Sequence, residues 1–153
     1  MVKRLFLRML VLAAMLSCAA AASAGDESEK AKAVGQELKR LEGEWRIVAA
    51  EQGGEAVASK DRVVFSGRKC TVTNPETKDV FANTITIDPS KTPRQIEVTN
   101  TKTKQTWVGI YELKGDRLRA VFQGEKDGKR PTEFNTKKGS LEVMYTYERV
   151  KPK

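Results

Sequence analysis

The sequence predicts an all-β fold: a small, antiparallel, eight-stranded up-and-down barrel preceded by a short N-terminal helix. Three observations carry that expectation. Apolar and polar residues alternate with period two in run after run, as half-buried strands require. Glycine, proline and asparagine interrupt the runs at hairpin spacing. No helical run separates one strand from the next, so nothing supplies the crossover that a parallel sheet needs. Closing eight short strands removes the exposed edges of an open sheet and leaves an interior that is either filled or holds one small ligand. A two-sheet sandwich is the competing arrangement.

The chain opens on a different composition. Lys3, Arg4 and Arg8 form a basic start, an apolar run follows from Leu5 to Ala22, and Ala22-Ser23-Ala24 is an A-x-A cleavage site. Residues 1–24 therefore read as a secretory signal peptide, with export to a periplasmic or extracellular space. A membrane anchor competes, although the run is barely long enough and ends in small residues. Met15-Leu16-Ser17-Cys18 also looks like a bacterial lipoprotein box, with Met at its usual Leu position. Used that way, Cys18 would carry a lipid and tether the protein to a membrane. Otherwise Cys18 is a small apolar residue of the signal core.

Residues 25–40 read as an exit segment and a short helix. Gly25 to about Lys32 is charged and small. Ala31 to Leu41 places Val34, Leu38 and Leu41 on one helical face, with Asp26 or Ser28 as candidate caps and Gly43 as the stop. The barrel domain would occupy 41–153. Its first strand alternates Trp45, Ile47 and Ala49 and turns at Gly53-Gly54. Asp61 to Gly67 is the second, and Cys70 with Val72 marks the third, stopped by Asn74-Pro75. Val80 to Asp88 is the fourth, with Phe81, Ile85 and Ile87 on one face. After the proline-flanked turn Asp88–Pro93 comes the fifth, Gln95 to Thr99.

The sixth and seventh strands form a hairpin over Thr106 to Phe122. Trp107, Gly109, Tyr111 and Leu113 share one face, and so do Leu118, Ala120 and Phe122 beyond the turn at Gly115. Arg117 and Arg119 fall on the opposite face, read as solvated. Gln123 to Gly128 is a loop, Arg130 to Phe134 a short extended crossing, and Leu141, Val143, Tyr145 and Tyr147 alternate through the eighth strand.

Charge and chemistry narrow the function. All 20 acidic residues but only 25 of the 28 basic ones follow residue 24, so the cleaved chain would carry +5. The cations are spread along the chain. In an exported setting they suit solubility or an anionic envelope polymer, and nucleic acid is not an expected partner. With no His, the His-containing triads and His-ligated zinc sites are excluded. Beyond residue 24 Cys70 is the single cysteine, which leaves no intramolecular disulfide and no thiolate cluster. Cys70 alternates with Val72 and reads as a buried core thiol. No nucleophile–base constellation, phosphate loop, calcium loop or other metal motif is present.

Four stretches together resemble an uncharacterised lipocalin-like domain family found in many exported planctomycete proteins. They are Leu41-Glu42-Gly43-Glu44-Trp45, Ile87-Asp88-Pro89-Ser90-Lys91-Thr92-Pro93, Gly109-Ile110-Tyr111-Glu112-Leu113 with Gly115-Asp116-Arg117-Leu118, and Arg130-Pro131-Thr132-Glu133-Phe134. The resemblance implies a lipocalin-like barrel and no particular activity. Gly43-Glu44-Trp45 is similar to the G-x-W start of lipocalins, where the Trp closes one end and an Arg of the last strand packs over it. The resemblance thus implies a structural Trp45–Arg149 stack. The chain departs from lipocalins in lacking their Cys pair and in being shorter.

The expected function is a non-catalytic binding module, a cofactor-free monomer. Trp107, Tyr111, Phe122 and Tyr145 would line a pocket for a small hydrophobic ligand. Arg130 and Glu133, flanking Pro131, would hold the crossing loop by bonding to each other or to backbone. An envelope structural or interaction protein, using the basic outer face, is the alternative, and a core merely filled by the same aromatics would favour it.

Overall fold

The computed structural model describes residues 19–125 and 128–152. It contains one helix, α1 (Ala19–Leu41), and nine strands among the described residues: β1 (Gly43–Gln52), β2 (Glu55–Val57), β3 (Arg62–Ser66), β4 (Lys69–Thr73), β5 (Val80–Asp88), β6 (Arg94–Asn100), β7 (Thr106–Lys114), β8 (Arg117–Phe122) and β9 (Val143–Arg149). Every neighbouring pair is antiparallel, and β1 pairs with both β3 and β9. Eight strands therefore close into a barrel, and the sandwich alternative falls away. The short β2 stands outside the ring, folded back on the end of β1 by Gly53 and Gly54. Both glycines have positive φ, 57° and 81°, as a two-residue hairpin of this hand demands.

The chain divides into two units between Ala33 and Val34. The basic start, most of the apolar run and Cys18 lie outside the described residues. From Ala19 onward the chain is helical, so α1 begins well before the expected Ala31, and Asp26 and Ser28 lie inside it rather than capping it. Alanine and long charged side chains are good helix formers, and Asp26 meets Lys30 one turn later at 3.0 Å. No described helix is long and apolar enough to cross a membrane.

Within the second unit the inner faces follow the alternation: Val63 and Phe65, Ile85 and Ile87, Tyr111 and Leu113, and Leu118 and Ala120 are all buried. The first strand breaks its own period. Val48 is an extra residue between the pairs Ile47–Tyr147 and Ala49–Thr146. This β-bulge turns Ala49 outward and brings Ala50 in instead.

A larger departure is on the outer face. Ile110 and Val121 point away from the barrel interior, yet they are 1% and 0% exposed. Residues 128–142 form a strap without strand structure that runs over β6 to β9. Arg130 anchors it: its guanidinium donates to the Ile96 and Gly109 carbonyls at 2.9 and 2.6 Å and pairs with Glu97 at 2.6 Å. Arg119 is not solvated as expected. It sits over the Phe134 ring, 5.2 Å from the centroid, and donates to the Phe134 carbonyl. Thr136 ties the strap to the β1–β2 hairpin through Gly54 N and Glu51. Arg130 and Glu133 do not bond to each other: Glu133 accepts from Asn135, at the surface.

Candidate functional site

One end of the barrel is a plug. Trp45 is fully buried on β1, and its indole N–H donates to the Leu41 carbonyl at 2.8 Å. The Arg149 guanidinium lies 4.2 Å from the Trp45 ring centroid. That arginine also donates to the carbonyls of Arg40 (2.6 Å) and Glu42 and to Asp116 (3.1 Å). It thus satisfies orphan carbonyls at the helix C-terminus, where a cation is electrostatically favoured. Beside it, the buried Glu37 meets Arg94 at 2.6 Å, Arg40 at 2.8 Å and the Tyr111 hydroxyl at 3.3 Å.

The other end is hollow. A cavity of about 290 Å³ lies where β1, β4, β6 and β8 end and β3, β5, β7 and β9 begin. Trp107, Phe122 and Tyr145 line it, as the alternation requires. Tyr111 does not. Its position on β7 is four residues further along, within the plug, and its hydroxyl is engaged by Glu37. Phe122 and Tyr145 rings stand 6.5 Å apart and tilted, and Tyr145 and Tyr147 5.9 Å apart. Gly109 makes room for this wall, because a Cβ there would come within 2.7 Å of the Phe122 ring. Phe81, half exposed, marks the rim.

Four further lining residues matter chemically: Cys70 and Tyr147, which the alternation turns inward without marking them as pocket, and Asp61 and Asn83, which it misses. Asp61 carries the same parity as Val63 and Phe65, which is the signal that would have found it. Its Oδ1 accepts from Asn74 at 2.8 Å. The Asn83 amide donates to the Cys70 and Phe81 carbonyls at 3.3 and 3.2 Å. Asn100 closes the same side by donating to Asn83 and by holding the β6–β7 turn through Lys102 N and Thr103 N.

Apart from the Asp61 carboxylate, the polar groups of the lining are neutral. Burial pushes the Cys70 thiol up to about 12. Burial also raises Tyr145, helped by Asp61, and raises Tyr147 well above its ordinary value, helped by Tyr145, Cys70 and Asp61. These groups stay protonated at neutral pH and offer hydrogen bonds rather than charge. A thiol held neutral is a poor nucleophile. What the arrangement can do is enclose a small, mostly apolar molecule and orient it by a few polar contacts. No protein-family model, curated protein or solved structure matches this chain.

Proposed function

We propose that the chain is an exported, lipocalin-like domain that binds a small hydrophobic molecule in the open end of its barrel and performs no catalysis on it. The observation that carries this is the contrast between a cavity of about 290 Å³ walled by Trp107, Phe122, Tyr145 and aliphatic side chains and a fully packed plug at the opposite end. A barrel built only for its surface would gain stability by filling the void, since unfilled space forfeits packing contacts. The volume lies at the small end of the ~300–1,000 Å³ usual for ligand pockets, so a compact ligand is the better fit. The basic start, apolar run and A-x-A site support export, and the four motif stretches support membership of the planctomycete lipocalin-like family.

Native mass spectrometry of the protein secreted by its host and purified without detergent tests the reading. A reproducible added mass that is lost on denaturation is the expected result. Repeated recovery of the bare polypeptide mass alone would overturn it.

A further inference from the structure

The cavity's polar groups are distributed unevenly, and the asymmetry points to a ligand class. This step rests on the binding reading above and deepens it. Although the chain carries +8, no Lys or Arg is among the described residues that line the cavity. Among the described residues, the single acidic side chain in the lining is Asp61. Its two basic neighbours in sequence are engaged elsewhere: Lys60 pairs with Glu76 at 2.5 Å and Arg62 with Glu44 at 2.7 Å. Asn74 takes Oδ1 of Asp61, and Oδ2 has no hydrogen-bond partner among the described residues. The hydroxyls of Tyr145 and Tyr147 have none there either, whereas the Tyr111 hydroxyl in the plug is bonded. The one buried side-chain polar atom without a partner among the described residues is Ser140 Oγ, outside the lining, so the Asp61 and tyrosine oxygens keep access to the void. A carboxylate oxygen accepts only and a hydroxyl can also accept, so together they can receive a hydrogen-bond donor.

We propose that the pocket takes a small cationic amphiphile, an apolar body bearing one protonated amine. The amine donates to the Asp61 carboxylate and to the tyrosine oxygens, and the apolar body lies against Trp107 and Phe122. A carboxylate-headed ligand such as a fatty acid would meet the Asp61 charge with no cation to offset it, and taking such a pair out of water is costly.

Isothermal titration of the full chain with three probes of matched shape decides this: 4-phenylbutylamine, 4-phenylbutanol and 4-phenylbutyrate, at neutral pH and low salt. The amine is expected to bind roughly tenfold tighter than the alcohol, the size of one charge-assisted hydrogen bond, and the carboxylate weakest of all. Asp61→Asn should bring the amine down to the affinity of the alcohol while leaving the alcohol within about twofold of the parent. The ranking on the parent protein stands even if that variant fails to fold. A carboxylate that binds as tightly as the amine overturns the cationic preference and leaves the binding module intact. Binding of none of the three overturns the pocket itself, and this inference with it.

Discussion

The two ends of this barrel are made from the same strands and solve opposite problems. At the plug, every polar side chain that is drawn inward finds a partner: Glu37 has two arginines and a tyrosine, Trp45 has a carbonyl, and Arg149 has a ring, two carbonyls and a carboxylate. At the mouth, aromatic rings face a void and hydroxyls go without partners among the described residues. The same β7 strand supplies Tyr111 to one end and Trp107 to the other. The difference teaches that side-chain parity sets which residues point inward, while position along the strand sets whether inward means core or pocket.

If the plug carries the stability, breaking it should have the largest effect. Trp45→Ala removes a fully buried indole and its stack with Arg149, and should cost about 3–5 kcal/mol in urea unfolding. Glu37→Leu comes next. It leaves Arg94 and the Tyr111 hydroxyl without their acceptor and should cost about 1–3 kcal/mol by the same measurement. A Glu37→Gln variant that restores most of that loss would show that hydrogen bonding, rather than charge, is what the site supplies.

Much of this division was legible beforehand, and the reasons are local. Hairpin spacing, inner-face parity and the Trp45–Arg149 pair all follow from short-range patterns, or from a motif that ties the first strand to the last. The misreadings share a different cause. The burial of Ile110 and Val121 and the partial burial of Arg119 depend on a strap without any periodicity of its own, whose contacts reach back 15 residues from Phe134 to Arg119 and 21 from Arg130 to Gly109. The Val48 bulge is a register slip between β1 and β9, which no single strand records. Tyr111 has the inward parity of a pocket residue. What separates it from Trp107 is Glu37 on α1, a contact across 74 residues. The early start of α1 reflects intrinsic helix preference in a charged segment that carries no apolar period.

A pH experiment sharpens the comparison from the mouth side. Cys70 is raised from an ordinary 9.0 to about 12 by burial, and Tyr145 and Tyr147 are raised too. Their folded forms hold protons that the unfolded chain releases, so the stability linked to them is complete below pH 9 and is lost as pH rises toward 12. For Cys70 alone the expected decline is at most about 1.4 kcal/mol per pH unit within that window. Chemical denaturation repeated across the alkaline range should show it, and Cys70→Ala should flatten the slope and move its onset from about pH 9 toward the ordinary tyrosine value of 10.0. An unchanged slope would mean that the thiol is hydrated in the folded protein, and hence that the cavity is wetter than its walls suggest.

The smallest expected stability effect is the most informative about function. Phe122 is half-buried, stands 6.5 Å from Tyr145 and already borders the cavity. Removing a ring that faces a void forfeits fewer contacts than removing one packed on all sides, because the cost of truncation scales with how much cavity is newly created against filled surroundings. Phe122→Ala should therefore cost about 1–2 kcal/mol, well under the Trp45 loss, while it should weaken binding of an apolar probe by roughly tenfold. Denaturation and titration on the same preparation give both numbers. A loss as large as that of Trp45→Ala would make Phe122 part of the core. A loss confined to binding would show that the barrel keeps its stability at one end so that the other can stay open.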